Sequence, residues 1–121
     1  LAMELNIAST LYDLGTTEKN GQFTAHAVTG EKRERFGIET TGASAAEALD
    51  KLTRWLEWQY EHTQALAALQ QAERAYHRAM GDAAFAIARD LNAPDVSKVS
   101  LEQVDAARRA LDDVRGRRPN V

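Results

Sequence analysis

The chain has 121 residues and a formal charge of −3, a balance that opposes a main task of coating nucleic acid, because neutralising phosphates needs a basic face. It has no cysteine, which excludes a disulfide framework and a thiolate zinc site. No apolar run approaches the roughly 20 residues of a membrane-spanning helix, and no charged-then-apolar leader opens the sequence, so the expectation is a cytoplasmic protein.

Leu1-Ala2 ahead of Met3 are read as lying outside the fold. Residues 4–14 alternate imperfectly: Leu5 and Ile7 share one parity, Tyr12 and Leu14 the other. This predicts one strand with a bulge or slip near Ser9-Thr10. Asn20-Gly21 is a strong hairpin signal, because both residues tolerate positive φ. Gln22 to Thr29 reads as the second strand, Thr29-Gly30-Glu31 as a turn, and Lys32 to Thr40 as the third strand. The expectation is a three-stranded antiparallel β-meander over residues 3–43, apolar on the one face that a helix covers.

Ser44 with Glu47 three residues on has the capping-box spacing. From there to Met80 neither Pro nor Gly appears, and the residues are good helix formers. A long helix over 44–91 follows, with a candidate break at Gly81-Asp82 and a stop at Asn92-Ala93-Pro94. Ser100 is read as the cap of a last helix over 100–116, with Gly116 in the C-terminal glycine position. The predicted fold class is therefore α+β. One domain, residues 3–121, holds a meander packed on the start of a long helix, which makes a helical hairpin with the C-terminal helix.

The long helix changes face. Ala45, Ala48, Leu49, Leu52, Trp55 and Leu56 form one stripe at helical spacing. A second begins about 120° away and runs through Trp58, Ala65, Leu69, Ala72, Tyr76, Ala83 and Ile87. Leu101, Val104, Ala107, Leu111 and Val114 make a heptad-like stripe on the last helix, suited to a coiled-coil-like contact with residues 76–91. That leaves Trp58, Ala65, Leu69, Ala72 and Tyr76 as the predicted interface, most simply with a second copy in a homodimer; the alternative is a monomer whose helix kinks near Gly81 and folds back on itself.

The chemical candidates are weak. His26 falls on the polar side of a strand; His62 and His77 stand about 22 Å apart along one helix and cannot share a metal. Glu57 and Glu61 are like charges at i, i+4, with Arg54 near enough to neutralise Glu57. Ser44 and Ser100 are spent as caps, and the glycines are isolated at turns. No catalytic, cofactor-binding or metal residue is predicted, nor any cofactor. Arg115, Arg117 and Arg118 form a short basic tail, the candidate nucleic-acid contact. Lys32, Arg33 and Arg35 interleave with Glu31 and Glu34, a pattern for cross-strand pairing.

Gly21-Gln22-Phe23 opening a strand, then Thr41-Gly42-Ala43-Ser44 and Glu47-Ala48-Leu49, resembles the strand–loop–helix pattern of HicB-type antitoxins. Phe36-Gly37-Ile38-Glu39 stands where that family has Phe-Pro-Asp-Leu-Pro-Gly. The functional expectation is a non-enzymatic protein-interaction and oligomerisation module. The alternative is a regulator of antitoxin or nucleic-acid-associated type, using the meander for one partner and the basic tail for another.

Overall fold

A computed structural model of the chain describes residues 2–30, 33–89 and 97–120. The architecture is α+β, an antiparallel sheet followed by two helices. The strands are β1 (Ala2–Ile7), β2 (Thr10–Lys19), β3 (Gln22–Thr29), β4 (Glu34–Arg35) and β5 (Thr40–Gly42). The helices are α1 (Ala45–Arg89) and α2 (Ser97–Gly116). No described helix is long and apolar enough to cross a membrane.

Among the described residues the predicted three-stranded meander is a five-stranded sheet, ordered β1-β2-β3-β4 with β5 also paired to β3. Two local causes explain the difference. The first is a turn at Ala8-Ser9, with φ of 49° and 72°, where a bulge is predicted. A two-residue turn with both φ positive reverses the chain, and Asn6 supports it by accepting the Ser9 N–H on Oδ1 at 3.1 Å. The parity switch between Ile7 and Tyr12 is therefore a hairpin, with Ile7 opposite Thr10 and Leu5 opposite Tyr12. Ala2, outside the predicted fold, pairs with Gly15. The second cause lies between β4 and β5. Of the described residues 33–42, Glu34–Arg35 and Thr40–Gly42 form ladders with β3; Phe36 adds one hydrogen bond, its N–H donating to the Ala27 carbonyl at 2.8 Å, and Phe36 and Ile38 pack into the core.

By density of contacts the chain falls into two compact units. One holds the sheet, α1 as far as Tyr60, and the tail from Arg118; the other holds Glu61–Arg117. In the first, Leu14, Ala25 and Ala27 from the sheet meet Ala48, Leu49, Leu52 and Leu56 from α1. The three alanines are fully buried, so helix and sheet backbones approach closely. At Gly42 a Cβ would lie 2.9 Å from the Ala48 backbone nitrogen. Buried Thr40 donates its hydroxyl to the Ala48 carbonyl at 2.6 Å, satisfying a polar side chain that has no access to water.

The α1 N-terminus is capped by Ser44, whose Oγ accepts the Glu47 N–H at 3.1 Å. Glu47 reaches back one residue further than the usual box, accepting from the Ala43 N–H at 3.0 Å. Lys51 ties the same corner, 3.3 Å from Glu47 and donating to the Thr41 carbonyl at 3.0 Å. The Ala43 hydrogen bond, reinforced by Lys51, holds the Glu47 carboxyl below its usual pKa.

α1 runs through Gly81-Asp82 unbroken. The flanking alanines favour helix, and one interior glycine costs only about 1 kcal/mol. The predicted end at Leu91 and the Asn92-Ala93-Pro94 stop lie outside the described residues. α2 starts at Ser97, so Ser100 lies inside its first turn and is not its cap. Gly116 is the last residue of α2, without left-handed backbone.

In the second unit Leu69 of α1 is buried with Val104 and Leu111 of α2, and Ala65, Leu66, Ala72, Tyr76 and Ala107 pack around them. Arg117 bridges to Glu61 at 3.1 Å and to Asp113 at 3.4 Å.

Two outcomes follow for stability. Gly42→Ala loses about 1–3 kcal/mol in urea denaturation, because the added methyl meets backbone that cannot step aside. Below the usual carboxylate range, near pH 4, the advantage of the wild type over Glu47→Gln disappears. A lowered folded-state pKa gives stability that is present above the unfolded value and lost as pH falls through the folded one. Paired denaturation curves from pH 7 to pH 3 check the sign.

Candidate interaction surface

The predicted helical interface divides. Leu69 is buried against α2, and Ala65, Ala72 and Tyr76 pack on the same cluster. These residues of the stripe thus share one cluster with Val104, Ala107 and Leu111 of α2. Trp58 belongs to the other unit. It ends a run of aromatic contacts in which Tyr12 meets Phe36 at 5.9 Å, Phe36 meets Trp55 at 6.2 Å, and Trp55 meets Trp58 at 6.1 Å. Arg118 lies over the Trp58 ring at 5.6 Å, within cation–π range.

The basic tail is engaged within the chain. Arg115 Nε donates to His62 Nε2 at 3.2 Å, Arg117 pairs with Glu61 and Asp113, and Arg118 sits on Trp58. A phosphate would have to compete with each of these contacts. Elsewhere, Arg54 pairs with Asp50 at 3.0 Å, not with Glu57. Arg33 reaches Asp13 at 2.7 Å, and Arg35 reaches Glu39 at 2.7 Å.

The histidines stand apart. His26 lies opposite Gly15 on the sheet face away from α1, and its ring fills the space a Cβ at Gly15 would need, 3.0 Å from Nε2. His77 neighbours the Tyr76 ring. Among the described residues no three His, Asp or Glu side chains are grouped to hold a metal. A shallow depression of about 440 Å³ opens beside Leu11, Asp13, Val28 and Arg33. Its opposite charges are spent on each other.

The surface that sequence reasoning missed is the edge of the sheet. Among the described residues β1 pairs with β2 alone and closes the strand order on its side. Hairpin geometry fixes which groups it leaves open. Ile7 and Thr10 are the hydrogen-bonded pair that closes a two-residue turn. Pairs then alternate, so Leu5 and Met3 also spend their backbone groups on β2. Glu4 and Asn6 direct their N–H and C=O groups to the outside. On the α1 side of this edge, Met3 is 38% exposed, while Leu5 and Ile7 are half-buried. No Lys or Pro stands in Ala2–Ile7, the residues that commonly blunt an edge. The parity switch at Ser9-Thr10 was the available signal: read as a turn, it makes residues 2–7 a separate outer strand.

Leu69→Ala is expected to cost about 2–5 kcal/mol and to raise amide exchange across residues 101–114, since Leu69 anchors α2 on α1. No protein-family model, curated protein or solved structure matches the chain.

Proposed function

We propose that this chain is a non-enzymatic protein-interaction module that accepts a β-strand from another chain along the free edge of β1. The observation that carries this reading is the open row of backbone groups at Glu4 and Asn6, bordered by the partly exposed apolar side chains of Met3, Leu5 and Ile7. Main-chain hydrogen bonds to such an edge supply affinity for an added strand, and alternate side chains supply specificity.

In this reading the helical unit is an antiparallel hairpin that shields its own stripe. The Leu69 cluster and the Arg117–Glu61 bridge support that arrangement. Self-association through Trp58, Ala65, Leu69, Ala72 and Tyr76 is the less favoured route, because Leu69 is already buried with Val104 and Leu111 of α2, and Ala65, Ala72 and Tyr76 pack on that cluster. The antitoxin-type or nucleic-acid reading is disfavoured for a parallel reason: Arg115, Arg117 and Arg118 are occupied by His62, Glu61 and Trp58.

The test is a blocked, fluorescently labelled six-residue peptide of alternating valine and threonine, titrated with the protein and followed by anisotropy. The wild type binds it. Glu4→Pro does not, because proline removes an outward N–H and blocks the approach of a strand. That variant keeps its thermal transition, since proline is tolerated where the missing N–H faces outward. Equal binding by the wild type and Glu4→Pro would contradict the reading.

A further inference from the structure

We propose that the strand added at this edge is β1 of a second copy, antiparallel and centred on Leu5 opposite its own twin. The inference rests on the strand-addition reading and names its partner. Directly opposed residues in an antiparallel pair point to the same face. A two-fold axis perpendicular to the sheet therefore sets apolar against apolar. In the Leu5-centred register Met3 faces Ile7 of the other copy, Leu5 faces Leu5, and Glu4 faces Asn6. The outward-directed N–H and C=O groups of Glu4 and Asn6 fall in the hydrogen-bonded pairs, and Leu5 falls in the closer, non-hydrogen-bonded pair. The half-exposed apolar edge then continues the row that each copy already packs beneath its own α1.

Charge selects this register. Asn6 Oδ1 accepts from the Ser9 N–H in its own turn, which leaves the side-chain NH₂ free to donate to a carboxylate opposite. Glu4 faces Asp13 across its own hairpin, a like-charge pair, and Arg33 is committed to Asp13 at 2.7 Å. An amide opposite Glu4 supplies the donor it lacks. Sliding by two residues to a Glu4-centred register would put Glu4 against Glu4, with an Asp13 on either side. Sliding the other way, to centre on Asn6, would run the strand into the Ala8-Ser9 turn.

The chain has no cysteine, so single substitutions report the register. Under mild oxidation, Leu5→Cys is expected to form disulfide-linked dimers about tenfold faster than Glu4→Cys. The twin position-5 Cβ atoms stand about 4.5–5.5 Å apart, and those at position 4 are diagonal neighbours. An equal mixture of Glu4→Cys and Asn6→Cys chains, both altered on the face away from α1, is expected to give the mixed dimer in preference to either self-linked one. The unsubstituted chain is expected to sediment as a dimer at roughly 50 micromolar, on the scale of a micromolar dissociation constant. Faster self-linking of Glu4→Cys than of Leu5→Cys, or failure of the mixed pair to cross-link, would overturn the register. A monomer that still binds the valine–threonine peptide would overturn the second copy as occupant and leave strand addition standing. A monomer that binds no peptide would overturn both.

Discussion

The close seating of α1 on β3 is the constraint on which the first unit depends. Ala25 and Ala27 on the strand and Ala48 on the helix are fully buried, and at Gly42 there is no room for even one more methyl against the helix backbone. Small residues bury little area each, at about 25 cal/mol per Å². They permit an approach that larger ones would block, and the Thr40 hydroxyl locks that distance by bonding the Ala48 carbonyl. Leu14, Leu49, Leu52 and Leu56 fill the flanks. A helix seated this closely over β3 covers the middle of one sheet face. The outer strand β1 then has part of its apolar row at the margin of the core, and its second line of hydrogen-bonding groups open.

Much of this order was legible in the residues. Asn20-Gly21 forms the turn its composition predicts, with φ of 54° and 78°, and Ser44 caps α1. The stripe of Ala48, Leu49, Leu52 and Leu56 belongs to the sheet. The β1–β2 hairpin shows in the sequence as a parity switch alone, because Ala8 and Ser9 lack the sequence signature of positive φ, and Asn6, which steadies the turn, precedes it. The broken strand between Arg35 and Thr40 escaped for another reason. Phe36 and Ile38 alternate as a strand would, but their burial comes from packing on the core and not from continuous pairing. In each case a tertiary contact decided between two local readings of the same pattern.

The helices tell a related story. Periodicity identifies the second stripe on α1, but periodicity does not say what covers it. Leu69, with Ala65, Ala72 and Tyr76 around it, meets α2, several residues nearer the start of α1 than expected. The arginines at the end of α2 help to hold that register through Glu61 and His62. Those arginines, grouped as a basic tail in the sequence, are engaged one by one within the chain. In the proposed reading the partner surface is therefore the sheet edge and not the helix surface.

The central claim, that the outer edge of β1 is open and is closed by another strand, is most directly read from amide exchange as a function of protein concentration. The account predicts that Leu5 and Ile7, bonded to β2, are protected at every concentration. Glu4 and Asn6 exchange freely in dilute solution and gain protection as concentration rises. Glu4 and Asn6 amides that are already as protected as Leu5 in the dilute monomer, or that never gain protection at high concentration, would contradict it.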